Sequence, residues 1–312
     1  MLKKVKLGRT GLQVTQLGFG AMELRGPKIW SGRQVSDEQA EKVLHAVLDA
    51  GINFIDTSVD YGLSEERIGR FLSSRRKEYY LATKCGCDPR DVGGKWETPH
   101  TWTADNILRN IEGSLKRMKT DCVDLLQFHN PKPDDVQREK LVDVLKDIQR
   151  RGLTRFIGIS TTLPDLPVYV EMGVFDTFQI PYSVLEPRHH DAISLAARSG
   201  AGTIIRGGIA KGGPESDVAI TSRVETWKKA RLDELLDGRG LQAATSSGLE
   251  SRMSPAEMIL RATLSHPDCH TTIVGTLNVE HLKANVAAAA KGPLPPKLYQ
   301  EIRKRVAEAS GK

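Results

Sequence analysis

What the chain lacks narrows its function first. Four cysteines in 312 residues, Cys85, Cys87, Cys122 and Cys269, are too few and too scattered for a disulfide framework and read as free thiols of a reducing compartment. No stretch approaches the uninterrupted apolar run of a membrane span, and the start, Met1-Leu2-Lys3-Lys4-Val5-Lys6, leads into no apolar segment of signal-peptide length. A soluble cytoplasmic protein with no membrane partner is expected. Charge of one sign is scarce as well: 45 Lys and Arg against 39 Asp and Glu leave +6. Runs such as Arg75-Arg76-Lys77 and Arg303-Lys304-Arg305 read as solvated helix faces, so no nucleic-acid partner is expected. The small positive balance suits an anionic small ligand such as a nucleotide. No linker rich in Pro, Gly or Ser divides the chain and no internal repeat is present, so a single domain over residues 1–312 is expected.

What is there is an alternation. Short apolar runs fall at residues 17–20, 53–56, 80–84, 123–128, 156–160, 177–180, 202–206 and 272–275. Between them, residues 37–50, 64–72, 104–118, 140–151 and 188–198 carry apolar side chains at roughly helical spacing. Gly51, Gly152 and Gly200 stand where helix stop signals belong. Eight strands alternating with helices demand parallel pairing, and closure removes the exposed edges of an open sheet. The expected fold is therefore α/β, a (β/α)8 TIM barrel. Before it, the cluster Gly8-Arg9-Thr10-Gly11 between residues 5–7 and 12–14 reads as a small hairpin that plugs the N-terminal end. Residues 207–252 form a long seventh βα connection with a helical segment near 224–236, a candidate lid at the C-terminal mouth.

In such a barrel the chemistry lies at the C-terminal strand ends. Asp56 closes the second strand, Tyr61 follows in the next loop, Lys84 ends the third and His129 ends the fourth. Singly, each is read as well by a structural ion pair or a satisfied buried histidine. Together they make chemical sense. An ammonium at Lys84 beside the Tyr61 phenol lowers that pKa toward the working range, Asp56 keeps Lys84 charged and oriented, and His129 hydrogen-bonds the oxygen of a carbonyl or alcohol.

With these residues in place the sequence resembles the aldo-keto reductase family over nearly its whole length. Leu7-Gly8-Arg9-Thr10-Gly11-Leu12-Gln13-Val14 and Leu17-Gly18-Phe19-Gly20 resemble the opening hairpin and first strand. Gly51-Ile52-Asn53-Phe54-Ile55-Asp56-Thr57-Ser58-Val59-Asp60-Tyr61-Gly62 with Ser64-Glu65-Glu66-Arg67-Ile68-Gly69 resembles the first signature. Ala82-Thr83-Lys84 matches the lysine strand, and Ser114-Leu115-Lys116-Arg117-Met118-Lys119-Thr120-Asp121 through Asp124-Leu125-Leu126-Gln127-Phe128-His129 matches the helix and strand leading to the histidine. The resemblance implies an NAD(P)H-dependent reductase of an aldehyde or ketone, or a dehydrogenase of the corresponding alcohol. It implies direct hydride transfer without a metal, the catalytic tetrad Asp56, Tyr61, Lys84 and His129, and Tyr61 as proton donor. It calls for no Rossmann glycine motif.

By the same matching Gly20, Ala21, Met22 and Asp56 flank the nicotinamide, and Ser160 and Gln179 hold its carboxamide with Tyr182 nearby. The glycines of Arg206-Gly207-Gly208-Ile209-Ala210-Lys211-Gly212 let backbone amides approach a pyrophosphate. Arg206 stands where the family often places an aromatic residue, and its planar guanidinium can stack instead. Gly275, Thr276 and Asn278, then His281 and Asn285, resemble the strand and helix that hold the adenosine end. Gly275, Leu277 and His281 occupy positions where NADP-preferring relatives commonly supply Lys or Arg. NADP(H) is the expected cofactor, with NAD(H) tolerated.

Trp30, Trp96 and Trp102 fall in loops expected to rim the mouth and are candidate substrate contacts, each also readable as the anchor of its own loop. Cys85-Gly86-Cys87 has no companion ligand in sequence, and His189-His190 reads as a capping or solvent-facing pair, so no metal is assigned. Two rivals stand beside the reductase. One is an aldolase with Lys84 as Schiff base, opposed by the Asp56 pairing. The other is a cofactor-sensing regulatory subunit that turns over slowly. The expected partner is a small carbonyl or alcohol, and the expected state a monomer or homo-oligomer.

Overall fold

The computed structural model describes residues 1–30, 32–216, 218–236 and 252–311. It opens with an antiparallel hairpin, β1 (Lys4–Lys6) and β2 (Gln13–Thr15), paired in register Val5 to Val14. Eight parallel strands then close into a barrel: β3 (Leu17–Gly20), β4 (Phe54–Asp56), β5 (Tyr80–Cys85), β8 (Val123–His129), β9 (Thr154–Ser160), β10 (Thr177–Pro181), β11 (Gly202–Arg206) and β12 (Thr271–Val274). The ring closes where β12 pairs with β3, Ile273 opposite Gly18. A second, exposed hairpin, β6 (Arg90–Val92) and β7 (Lys95–Glu97), rises between β5 and the following helix.

Helices α1 (Asp37–Asp49), α2 (Ser64–Leu72), α3 (Ala104–Met118), α4 (Pro133–Arg138), α5 (Leu141–Arg150), α6 (Leu166–Glu171) and α7 (His190–Arg198) connect the strands up to β11. After it come α8 (Thr221–Lys229) and α9 (Pro255–Leu264), and after β12 come α10 (Val279–Ala290) and α11 (Pro296–Ala309). Their starts are written locally. Ser36 accepts a hydrogen bond from Gln39 N, Thr103 from Asn106 N, and Ser254 from Glu257 N, each satisfying a first-turn amide that has no helical partner. Gly51 ends the first helix at φ 83°, where a side chain is strained. No described helix is long and apolar enough to cross a membrane.

Three apolar clusters hold this together. The largest lies between strands and helices, with Leu44, Val47, Ile68, Ile107, Ile111 and Leu145 fully buried from the helix side. The lower lumen is filled by Phe54, Ala82, Leu125, Ile204 and Ile273, and Leu7, Leu12 and Val14 of the hairpin pack onto them. The hairpin thus plugs the N-terminal end as expected, and Arg9 N donates to Gly200 O at 2.8 Å to fix it there. The third cluster joins α8, α9 and α11 around Trp227, which is 1% exposed. The helix expected near 224–236 is α8 followed by a short 3-10 turn at Leu232–Leu235. The remainder of the candidate lid, residues 237–251, lies outside the described residues.

Candidate active site

With the lower lumen apolar, the upper layer carries the polar side chains. Asp56 at the end of β4 and Lys84 near the end of β5 are both 1% exposed. Lys84 Nζ donates to Asp56 Oδ2 at 2.5 Å and to Thr57 O at 2.8 Å. The other carboxylate oxygen, Oδ1, accepts from Gln127 Nε2 at 3.0 Å and Gln179 Nε2 at 2.7 Å. A buried ion pair survives only when its remaining lone pairs are satisfied, and here strands β8 and β10 satisfy them. Burial alone would lower the Lys84 pKa, but the Asp56 charge reverses this and holds it above the ordinary lysine value.

Tyr61 follows β4 in a turn closed by Tyr61 N to Ser58 O at 3.0 Å. The Lys84 ammonium lies 4.9 Å from the centroid of its ring. The expected lowering of the phenol is not what this arrangement gives. Burial pushes the Tyr61 pKa above its ordinary value, the charges of Asp56 and Asp60 add to that, and Lys84 and Arg206 only partly oppose it. At rest the residue is a phenol.

His129 ends β8 with its ring edge-on to Tyr61, centroids 6.2 Å apart. Its Nδ1 lies 3.4 Å from Asp60 Oδ2 and 3.2 Å from Cys87 Sγ. Burial of Asp60 opposes its ionisation, but the hydrogen bond and charge of His129, the Ser58 hydroxyl and Lys84 together hold it at about 2. Around this centre runs a series of rings. Trp30 lies edge-on to Tyr61 at 6.0 Å, His100 edge-on to His129 at 5.8 Å, and Trp102 stacks on His100 at 5.6 Å. Trp30 and Trp102 therefore border the site. Trp96 sits on β7 opposite Asp91 and makes no ring contact with this series.

The residues matched to a nicotinamide divide into two groups. Ser160 Oγ and Arg206 Nε are buried polar atoms without a hydrogen-bond partner, as is Asn130 Oδ1. Asn130 is next to Ser160, through Asn130 N to Ser160 O at 2.9 Å. Such orphans are costly and mark a place that a ligand's polar groups fill. They fit a carboxamide, so the residues present suit the cofactor. Gly20 faces Asp56 in the β3–β4 register, and Gly275 approaches so closely that a Cβ there would lie 2.6 Å from Gly20 O. Gly207, Lys211 and Gly212 turn through left-handed conformations beyond β11.

Other matched residues spend their polar groups inside the protein. Ala21 O accepts from Ser64 Oγ at 2.9 Å and Gly208 O from Thr263 Oγ1 at 2.7 Å. The Gln179 amide nitrogen is given to Asp56. Met22 O accepts from Arg25 Nη1, and Ile209 packs partly buried on the main core. Asn278 caps α10 through Oδ1 to Glu280 N at 2.8 Å, and Thr276 Oγ1 accepts from Asn278 N at 3.1 Å. His281 is exposed and Asn285 half-buried on the same helix. Tyr182 meets this group through its backbone, Tyr182 N donating to Arg206 O at 3.1 Å, while its ring packs on His190 and His266 at 5.8 and 5.5 Å and borders a hollow with Pro187 and Arg303.

Sequence reasoning missed Asp60, Cys87, His100 and Asn130 as members of the site. Asp60 and Asn130 sit directly beside two of its chosen residues, Tyr61 and His129. That adjacency was the available signal. Cys87 and His100 are joined by an isolated antiparallel bridge, which no spacing rule announces.

A parallel eight-stranded barrel with a buried lysine–carboxylate pair, a phenol and an imidazole at its C-terminal mouth is the framework of a carbonyl–alcohol oxidoreductase. The chain belongs to the aldo/keto reductase family, whose model matches residues 16–307, and is accordingly an oxidoreductase dependent on a nicotinamide cofactor. It is similar to an uncharacterised oxidoreductase, YqkF, of Bacillus subtilis, 26% identical and covering 92% of this chain and 91% of the relative. It is also similar to L-galactose dehydrogenase of Arabidopsis thaliana, 27% identical over 91% of this chain and 87% of the relative. Among solved structures, the holo form of aldo-keto reductase AKR11C1 from Bacillus halodurans superposes with a TM-score of 0.80 at 27% identity, covering 98% of this chain and 96% of the other.

Proposed function

We propose that the protein reduces an aldehyde or ketone with NAD(P)H, or oxidises the corresponding alcohol, with Tyr61 as the proton donor. One observation carries this: the Tyr61 phenol stands over the Lys84 ammonium, which is itself clamped by Asp56, with His129 beside it. The nicotinamide, when bound, supplies the hydride. The carbonyl oxygen lies between the phenol and His129, which donate to it and stabilise the charge that develops there. Tyr61 passes its proton to that oxygen. The phenolate that remains faces the Lys84 cation, whose charge lowers the cost of forming it. A resting pKa above the ordinary value keeps the donor protonated at working pH.

Ser160, Asn130 and the Gln179 carbonyl oxygen hold the carboxamide in this reading, and Arg206 packs beside the ring. Gly20, Gly207, Gly212 and Gly275 leave room for the pyrophosphate and nicotinamide, with Thr276, Asn278, His281 and Asn285 toward the adenosine. NADP(H) is the expected preference, with NADH accepted, since no cation stands at the matched positions Gly275, Leu277 and His281. A Schiff-base lysine needs a neutral amine, which the raised pKa of Lys84 opposes. The regulatory-subunit alternative gains nothing from relatives named as an oxidoreductase and a dehydrogenase.

The test is a fluorescence titration with NADPH and NADH, followed by addition of aldehydes, ketones and aldoses to the bound complex. Aldoses belong on the panel because of the relative named for L-galactose. Binding with substrate-dependent oxidation is expected. Failure to bind either nucleotide overturns the cofactor assignment, and tight binding with no oxidation of the bound nucleotide by any carbonyl overturns the reductase.

A further inference from the structure

Cys87 leaves β5 two residues beyond Cys85, and its thiol is fully buried. The backbone there folds back on itself: Cys87 bridges His100 across the base of the β6–β7 excursion, and Asp88 N donates to Pro99 O at 2.8 Å. Gly86, at φ 102°, makes the turn possible, since a Cβ at that position would lie 2.0 Å from the Trp102 ring. Trp102 in turn stacks on His100 with 25° between the planes and so fixes that imidazole opposite the thiol. From the neighbouring strand His129 brings Nδ1 to 3.2 Å from Cys87 Sγ. One ligand atom from each of Cys87, His100 and His129 lies within 4.8 Å of the other two.

That donor set has a definite chemistry. A thiolate and two imidazoles select a borderline-to-soft divalent ion, and tetrahedral zinc takes sulfur at about 2.3 Å and nitrogen at about 2.0 Å. Ligand atoms around such an ion stand roughly 3.5 Å apart by the same bond lengths. The Cys87–His129 edge is already at that separation, and only the third ligand needs to close in. His100 is exposed, so the ion has a path from solvent. Asp60, 2% exposed and 3.4 Å from the same His129 nitrogen, adds a negative charge beside the cluster. That buried negative charge offsets part of the charge of an ion.

We propose that Cys87, His100 and His129 form a site for a zinc-class divalent cation, and that its occupation reversibly shuts the reductase by taking the His129 nitrogen that Asp60 holds and locking that ring beside the carbonyl pocket. The inhibitory half rests on the function proposed above; the site itself does not. On binding, the Cys87 S–H bond and the His129 Nδ1–H bond break, both protons go to solvent, and the thiolate sulfur and two imidazole nitrogens form bonds to the ion without any change of oxidation state. The Nδ1 of His129 exchanges the Asp60 carboxylate for the metal. The ring is then locked by the ion against Cys87 and His100, and a dication stands beside the carbonyl pocket in place of the Asp60 contact.

The experiment uses the full, reduced protein and Co²⁺ as the probe. One equivalent is expected to produce the near-ultraviolet thiolate-to-cobalt charge-transfer band and the visible bands of a tetrahedral site, and Zn²⁺ is expected to bleach them. Cys87→Ser should abolish the charge-transfer band, and His100→Gln should weaken binding at least about tenfold. His100→Gln changes an exposed side chain and keeps the fold testable if the buried Cys87→Ser does not. Absence of the charge-transfer band in the wild-type protein, or its persistence in Cys87→Ser, overturns the site. In turnover assays Zn²⁺ should inhibit, a chelator should restore the rate, and His100→Gln should raise the inhibitory concentration at least about tenfold. A saturated cobalt spectrum with turnover untouched by zinc overturns the inhibitory role. A cobalt spectrum in a protein that oxidises no NAD(P)H with any carbonyl counts against the reductase reading and leaves the metal site standing.

Discussion

Tyr61 shows how far a single residue's chemistry depends on its surroundings. Lysine beside a phenol, taken alone, lowers the phenol's pKa; burial, with Asp56 and Asp60 close by, turns the balance the other way. In the proposed reaction Tyr61 is therefore a held proton rather than a pre-formed phenolate. Removing it should cost the general-acid contribution, so Tyr61→Phe is expected to lower kcat at least about 100-fold while NADPH still binds with wild-type fluorescence. An unchanged kcat would reassign the proton donor. Arg206 carries a second residue-scale prediction. It is half-buried at the end of β11 with Nε unpartnered, and burial lowers its pKa without neutralising it. A guanidinium packed on the nicotinamide repels the cationic oxidised ring more than the neutral reduced one. Arg206→Tyr should therefore tighten NADP⁺ binding relative to NADPH, read as the ratio of dissociation constants from calorimetry. An unchanged ratio would place Arg206 away from the ring.

The N-terminal hairpin is the element whose role is most plainly structural. Leu7 is fully buried and packs with Phe54, Ala82, Leu125 and Ile204 across the floor of the barrel. Leu7→Ala leaves a cavity under the lumen and is expected to cost about 3 kcal/mol, measured as a lower urea midpoint with KM for the carbonyl unchanged. A changed KM at full stability would mean that the floor shapes the site. Hairpin and barrel strands were legible because their signals are local: apolar runs of strand length, glycines at helix ends, and Gly8-Arg9-Thr10-Gly11 between two short strands. The β6–β7 hairpin was not, although Gly93-Gly94 marks its turn, because its strands are exposed and carry no apolar alternation. Missing that excursion also hid the thiol–imidazole cluster, since its base is what brings Cys87 and His100 together. The grouping of Asp56, Tyr61, Lys84 and His129 was legible because each sits at or just beyond a strand's C-terminal end, where the closed barrel gathers them. Tyr182 lies just beyond β10, and its ring turns instead toward His190 and His266.

At the scale of the whole molecule, the histidines set how stability responds to acid. The pair His189-His190, expected to cap a helix or face solvent, is folded inward. His189 is 6% exposed, and its Nε2 accepts from Leu163 N at 3.1 Å, which requires an unprotonated nitrogen. Burial, reinforced by the charges of Arg188 and Arg206, lowers its pKa from 6.5 to about 4. Burial and the neighbouring His266 do the same for His190, also to about 4, and His266 and His270 are lowered too. A base with a depressed folded pKa binds its proton sooner in the unfolded chain, so its stabilisation is complete above pH 6.5 and is lost as pH falls toward 4. For His189 this amounts to roughly 3 kcal/mol. Asp60, held at about 2 against an ordinary 3.8, loses its contribution only below that range. The Tm is therefore expected to fall first between pH 6.5 and 4, before the carboxylates titrate, and His189→Gln, which keeps a neutral acceptor, should flatten that limb. A Tm level down to pH 4, or a limb equally steep in His189→Gln, would mean that these histidines are protonated as readily in the folded protein as in the unfolded chain.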